Sequence, residues 1–240
     1  MKGIVLAGGK GTRLYPLTKV TNKHLLPVGK EPMIFNPIKQ LVSAGIKDIL
    51  VVTSTEHMGD MVNLLGSGKQ FGVDFTYKVQ ESAGGIAQAL GLAEDFAGSG
   101  KIIVILGDNV FQQNLKRAVN NFKKQKSGAK IFLSRVKNPQ AYGIAQIVKN
   151  KIVGIEEKPK NPKNNLAVVG VYFYDNQVFK IIKTLKPSAR GELEITDVNN
   201  YYVRNKSMRY EILRGWWGDC GESFNSLLQA SQLVSKTKNL

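Results

Sequence analysis

The sequence predicts an α/β fold: a Rossmann-like, mostly parallel or mixed central sheet flanked by helices, with antiparallel strands added in the C-terminal half. Three observations carry this expectation. Short β-branched runs alternate with helical stretches up to about residue 128, which is the rhythm of βαβ units. The run "IIVIL" (102–106) is apolar throughout, as a strand covered on both faces must be. From residue 129 onward, strand-like runs crowd together with few helices between them, which calls for antiparallel pairing.

Taken in order, "KGIVLA" (2–7) reads as the first strand and "MIFNPIKQLVSAG" (33–45) as a helix ending near Gly45, a residue type that closes helices. "DILVVTS" (48–54) is a second strand, followed by a helix from about His57 to Leu65. "VDFTYKVQ" (73–80) is a third strand, "GIAQALGLAEDFAG" (85–98) one helix, and "KIIVILGD" (101–108) a strand ending in a carboxylate. "KRAVNNFKKQK" (116–126) has the spacing of an amphipathic helix with a basic outer face. "AKIFLSRV", "YGIAQIV", "KIVGIEEK" and "LAVVGVYFY" follow as closely spaced strands, and helices are expected near 176–185, 192–205 and 222–236. "KPKNPKNN" (158–165) reads as an exposed loop. No domain boundary is visible, so a single domain over 1–240 is expected, divided into a part at about 1–128 and a part at about 129–240.

Composition sets bounds. With 240 residues, 42% of them hydrophobic, the chain can bury a substantial core. No segment approaches the ~18 consecutive apolar residues of a membrane span, and no signal-peptide pattern opens the chain. Cys220 is the single cysteine, so no intrachain disulfide can form, and a cytoplasmic location is expected. The net charge of +16 suits small polyanions as well as nucleic acid or an anionic membrane, but no nucleic-acid module is recognisable, and the cations are spread as on a solvated surface.

The chemistry collects at strand ends, where open α/β sheets bind ligands. The first strand runs into Gly8-Gly9-Lys10-Gly11-Thr12-Arg13, which fits neither GxxxxGK[ST] nor GxGxxG. Its glycines let backbone N–H groups approach a triphosphate, with Arg13 and Lys23 available to neutralise it; tight turns use glycines too. Asp108 follows an apolar strand, where a carboxylate is costly to bury without a cation, and magnesium favours one or two carboxylates with substrate phosphates. The alternative for Asp108 is a helix N-cap, with Asn109 and Gln112 opening that helix. Asp219 in "RGWWGDCG" is a second acidic candidate, its aromatic neighbours being equally suited to an ordinary core. His24 and His57 lack companion ligands for zinc, and no Ser-His-Asp or Cys-His arrangement stands out. "IEEKPKNP" brings Glu157 beside Lys158, able to form a surface ion pair or to hold a sugar phosphate. "ARGELEITD" reads first as a helix N-terminus with its preferred acidic residues. Gln80 ends a strand with an amide that can meet a base edge.

The motifs "LAGGKGTRLYPLT", "NKHLLPVGKEPMI", "GGIAQAL", "LGDN", "YGIA", "EEKP" and "LKPSARGELEITDVN" together resemble the sugar-phosphate nucleotidyltransferases, in particular the glucose-1-phosphate thymidylyltransferases in their short form, from Met1 to about residue 233. The first motif is common to the whole superfamily, whereas the last is specific to the thymidylyl branch. The resemblance implies dTTP and glucose 1-phosphate as substrates and Mg²⁺ as cofactor, with neither nucleic acid nor membrane as partner and a homo-oligomer as the assembly. It implies that Leu6, Gly8, Gly9, Gly11, Thr12, Arg13, Lys23, His24, Gln80, Gly85 and Asp108 bind the nucleotide. Asn109, Gly143, Glu157, Lys158, Val169, Tyr172 and Glu192 would line the sugar-phosphate site. Asp108 and Asp219 would hold the metal, and Arg13, Lys23, Asp108 and Lys158 would carry catalysis. Many relatives have Gln in place of His24 and Asp in place of Gly84.

Overall fold

A computed structural model describes residues 1–237. Its elements in chain order are β1 (Lys2–Ala7), β2 (Pro27–Val28), β3 (Glu31–Pro32), α1 (Phe35–Ser43), β4 (Asp48–Ser54), α2 (Met58–Leu65), β5 (Asp74–Gln80), α3 (Ile86–Gly91), α4 (Glu94–Ala97), β6 (Ile102–Leu106), β7 (Asn109–Phe111) and α5 (Lys116–Lys124). There follow β8 (Ala129–Arg135), β9 (Gly143–Val148), β10 (Lys151–Glu157), β11 (Leu166–Tyr174), α6 (Gln177–Ile182), α7 (Ile195–Arg204), β12 (Met208–Ile212), β13 (Trp217–Asp219) and α8 (Phe224–Lys236).

A nine-stranded sheet organises these elements. In its first half β1 lies between β4 and β6, β5 extends the edge beyond β4, and all four run parallel. Parallel strands need covered faces, and alternate residues of β1 supply two separate cores. Ile4 and Leu6 pack on one side with Leu90, Val104 and Tyr174, while Val5 and Ala7 pack on the other with Ile38, Ile105 and Phe173. The second half is antiparallel in all its pairings except that of β12, in keeping with its crowded strands. The long strand β11 pairs along one edge with β8 and divides its other edge between β9 at its start and β6 at its end. That division opens a fork in the sheet between β6 and β9, so residues from both halves of the chain meet there.

The structure departs from the sequence expectations in three places. The helix expected over 85–98 is two short pieces, α3 and α4, broken after Gly91, whose backbone freedom weakens a helix interior. Asn109 opens no helix; it begins β7, which pairs with β13, so Asp108 is not an N-cap. Finally, no strand is expected from the sequence at 208–212, yet β12 lies there parallel to β8, with the alternate residues Met208 and Tyr210 of "MRYEI" packed against the core. The closing helix α8 begins with a capping box between Ser223 and Ser226 and covers a small third core containing Leu14, Val28, Cys220 and Ala230.

α7 lines the fork and is tied to the sheet through buried Asp175. The Asp175 carboxylate accepts from Gly128 N at 2.5 Å, Tyr202 Oη at 2.7 Å and Gln177 N at 3.2 Å. Asp175→Ala should destabilise the fold by roughly 3 kcal/mol, because it strands two buried donors that now bond a charged acceptor. Denaturant unfolding would check this; a loss under about 1 kcal/mol would mean that the network relaxes without it.

Candidate active site

One cavity of about 340 Å³ lies beyond the carboxyl ends of β1 and β6 and runs into the fork. Its nucleotide-side wall begins where β1 ends. A side chain at Gly8 would have to displace the Gln80 amide, and Gly11 takes φ 65° beneath the Thr18 methyl, where any other residue would be strained. Arg13 stands exposed at the rim.

Lys23 and Asp108 form the centre. Lys23 sits on a turn capped by Asn22, whose Oδ1 accepts from His24 N at 2.9 Å and whose amide donates to Ala7 O at 3.3 Å. The turn is thereby fixed to the end of β1. From it, Lys23 Nζ forms a buried ion pair with Asp108 Oδ2. His24 Nδ1 is 2.6 Å from the same Asn22 Oδ1, which can only accept, so the ring proton lies on Nδ1. Burial, with Lys23 close by, pushes His24 down to about 3, and the ring is neutral with Nε2 free to accept.

Antiparallel pairing of β7 with β13 sets Asp219 opposite Asn109, and Cys220 N donates to Asp108 O at 2.9 Å. This brings together two carboxylates that lie far apart in sequence. Burial works against the charge on Asp108, yet Lys23 and the Asn109 amide (3.0 Å) hold its carboxyl well below the usual range. Asp219 is pushed the other way, up to about 7, by burial and by the neighbouring Asp108 charge; Gly221 N at 3.0 Å is its hydrogen-bond donor. Among the described residues no group of three or more His, Cys, Asp or Glu gathers as a metal cage. A lone carboxylate pair with an unsatisfied negative charge fits a hard cation that takes its remaining oxygens from phosphates and water.

The opposite wall is built from the second half of the chain. Glu157, at the end of β10, accepts from Thr196 Oγ1 at 2.6 Å and lies 3.4 Å from Arg190, which also binds Glu194 at 2.8 Å and approaches Glu192 at 3.7 Å. Lys158 has φ 46°, unusual for a residue with a side chain, and is held there by its N–H on Tyr142 O at 3.1 Å. A Cβ at Gly143 would press on Glu157 and Thr196 at 3.2 and 3.3 Å. Tyr172 forms part of the floor, its hydroxyl raised well above its ordinary value by burial.

Of the residues singled out in the sequence, Leu6, Gly8, Gly9, Arg13, Lys23, His24, Gln80, Gly85, Asp108, Asn109, Gly143, Glu157, Lys158, Tyr172, Glu192 and Asp219 line this cavity. Gly11 and Thr12 stand outside it, in the turn that carries Arg13. Val169 is corrected: strand alternation turns its side chain into the opposite core, while Val168 and Gly170 line the cavity. Asn109 is chiefly a staple, its Oδ1 accepting from Gly170 N at 2.9 Å and Trp217 Nε1 at 2.7 Å. Sequence reasoning assigns no role to Tyr142, Thr196 or Trp217. All three line the cavity, with the rings of Tyr142 and Trp217 packed edge to face at 5.4 Å. Thr196 and Tyr142 lie inside motifs already quoted, but nothing local distinguishes them from helix and loop residues.

The family described as Nucleotidyl transferase matches residues 2–237. A glucose-1-phosphate thymidylyltransferase of Neisseria meningitidis is 46% identical, the alignment covering 100% of this chain and 84% of the relative. One from Mycolicibacterium smegmatis is 45% identical, covering 98% and 82%. A Bacillus anthracis crystal structure, provisionally named a glucose-1-phosphate thymidylyltransferase and in complex with a sucrose, superposes with TM-score 0.96 at 55% identity over 100% of this chain and 97% of that one. A UDP-glucose pyrophosphorylase complexed with UDP-glucose superposes with TM-score 0.84 at 25% identity over 99% of both chains.

The raised Asp219 carboxyl makes a pH prediction. Without metal, the folded protein keeps this proton to about 7, whereas an unfolded chain loses it near 3.8. Asp219 therefore contributes stability that is fully present below about pH 4 and lost as the pH rises through 7. Thermal melts in chelator between about pH 5 and 8 should show wild type losing more stability with rising pH than Asp219→Asn. Added Mn²⁺ should stabilise wild type most at the upper end. Equal slopes for the two proteins would show that Asp219 is already ionised in the fold.

Proposed function

Because the chain belongs to the nucleotidyl transferase family, we propose that it transfers a deoxythymidylyl group from dTTP to glucose 1-phosphate, giving dTDP-glucose and pyrophosphate. The observation that carries this reading is the shared cavity. One wall holds a glycine loop, cations and a carboxylate pair; the facing wall holds a carboxylate, Glu157, beside a cation, Lys158. A triphosphate and a sugar phosphate have complementary chemistry to the two walls. The names of the two relatives at 45–46% identity support the same reading.

In this reaction a phosphate oxygen of glucose 1-phosphate attacks the α-phosphorus of dTTP in line. A new P–O bond forms as the bond from the α-phosphorus to the bridging oxygen of pyrophosphate breaks. The transfer is direct and uses no protein nucleophile; the protein's task is to hold two anions together and neutralise the charge leaving on pyrophosphate. Arg13 would meet the β- and γ-phosphates at the rim, and Lys23 the departing pyrophosphate. Lys158 would hold the sugar phosphate, and Glu157, oriented by Thr196, would accept sugar hydroxyls. Gln80 would read the base. Asp108 and Asp219 fit a divalent ion, which we take to be Mg²⁺; when bound it supplies charge neutralisation on the phosphates and polarises the α-phosphoryl group. The same reading carries the expectation of a cytoplasmic homo-oligomer, which light scattering would test.

A uridylyltransferase is the second reading, favoured by the fold match to the UDP-glucose enzyme and by the identical hydrogen-bonding edges of uracil and thymine. The C5 methyl group distinguishes the bases by only about 1–3 kcal/mol. With glucose 1-phosphate, kcat/KM should therefore rank dTTP above UTP, with UTP used detectably and ATP and GTP poor. A purine nucleotide in first place would reject the reading.

Arg13→Ala should lower turnover by roughly 10²–10³, the scale for one preorganised charge stabiliser. An effect confined to the KM for glucose 1-phosphate would put Arg13 on the other substrate. Asp108→Asn and Asp219→Asn should each abolish most turnover while the protein still melts cooperatively. Wild-type rates at low Mg²⁺ in either variant would remove that residue from the metal site.

A further inference from the structure

We infer that Gln88 is a positioning residue that locks the Gln80 amide in one orientation, so that the base pocket presents a lone acceptor and selects pyrimidines carrying an N3–H. The inference rests on the base subsite assigned to Gln80 above.

The lock can be traced back to backbone atoms whose polarity is fixed. Gly84 N–H can only donate, and it is shared between Ser82 O at 2.8 Å and Gln88 Oε1 at 3.2 Å. The other end of the Gln88 amide must then be Nε2, which donates to Ser82 Oγ at 3.2 Å. Gln88 Oε1 also receives Gln80 Nε2 at 2.6 Å, and the Gly85 carbonyl faces the same Gln80 nitrogen at 3.4 Å. Two acceptors thus converge on one end of the Gln80 amide, and that end has to be the NH₂ group. Turned over, Gln80 would set its oxygen against the oxygen of Gln88 and against a carbonyl. Its Oε1 is left at the other end, facing Gly8, where even a Cβ would collide with it. Among the described residues nothing donates to that oxygen, and Gln80 borders the cavity.

The nitrogen of Gln80 being committed, an incoming base meets an acceptor. Thymine and uracil answer with N3–H. Cytosine presents a lone pair at N3, and a buried pairing of two acceptors is strongly unfavourable. Gln88 lies on α3, half-buried, and acts through Gln80 rather than on the base. The device is blind to the C5 methyl and to the ribose 2′-hydroxyl, so it separates dTTP from dCTP but not from UTP.

The test measures kcat/KM for dTTP, UTP and dCTP, with glucose 1-phosphate, in wild type, Gln88→Leu, Gln88→Glu and Gln80→Ala. Gln88→Leu frees Gln80 to rotate and should lower the dTTP:dCTP ratio at least about tenfold, on the scale set by losing a hydrogen-bond readout. The change should fall in the nucleotide KM values, leaving the KM for glucose 1-phosphate and the dTTP:UTP ratio unchanged. Gln88→Glu keeps an acceptor for both Gly84 N and Gln80 Nε2 and should retain the wild-type ratio. Gln88→Ala replaces the leucine variant if that protein does not melt cooperatively. A dTTP:dCTP ratio within twofold of wild type in the leucine or alanine variant would overturn the lock, as would a ratio lost equally in Gln88→Glu. An altered dTTP:UTP ratio would also overturn it, because pocket shape would then have changed. If Gln80→Ala leaves the ratio intact, the base subsite itself is misassigned; if Gln80→Ala destroys it while Gln88→Leu does not, the lock alone fails.

Discussion

The buried ion pair between Lys23 and Asp108 is the contact on which the site depends. A buried pair is weak as a source of stability, since both charges lose their hydration, but removing one partner strands the other at a cost of roughly 3–5 kcal/mol. Here the pair joins the turn that follows the glycine loop to the end of β6. It fixes the spacing between the phosphate-side wall and the carboxylates, and the close approach of Gly221 leaves no room for a side chain over it.

One cation between two carboxylates also produces an asymmetry. Lys23 satisfies Asp108 and leaves Asp219 with burial and a like charge, which is why the two carboxyls move in opposite directions. The site thereby keeps a local deficit of positive charge in a protein whose net charge is +16. The long-range field draws polyanions toward the molecule, while the local field at the centre favours a cation. A nucleoside triphosphate carried with a divalent ion suits both.

Topology supplies the second substrate's wall. Since β11 shares one edge between β6 and β9, the sheet parts at the level of Gly170, and Asn109 bridges the parting to Gly170 and Trp217. Without that fork, Glu157 at the end of β10 would lie along a continuous sheet edge rather than across a cavity from Asp108. Thr196 and Arg190 then orient Glu157 from the α7 side.

Much of this was determined by the sequence alone, because it rests on local patterns. The runs 2–7, 48–54 and 166–174 form strands at the expected bounds, since β-branched and apolar residues at those spacings have few other ways to bury themselves. The glycine loop, Arg13, Asp108 and the Glu157–Lys158 pair were legible as unusual residue types at strand ends. Only the tertiary structure decided the rest. "NVF" and "WGD" are too short to pair unless the chain brings 109–111 beside 217–219, and only that pairing puts Asp219 near Asp108. "MRYEI" alternates apolar and charged residues as a strand does, but its parallel pairing on the edge of β8 exists only in the folded chain. The side of β11 that faces the cavity, and with it the exclusion of the Val169 side chain, follows from register with neighbouring strands. The polarity of the Gln80 amide was likewise invisible in a residue name, since it is set by hydrogen bonds that reach it through Gln88 from the backbone of another turn. Local propensity can be read along one dimension; a contact between distant residues, and the charge state it imposes, exists only once the chain has closed on itself.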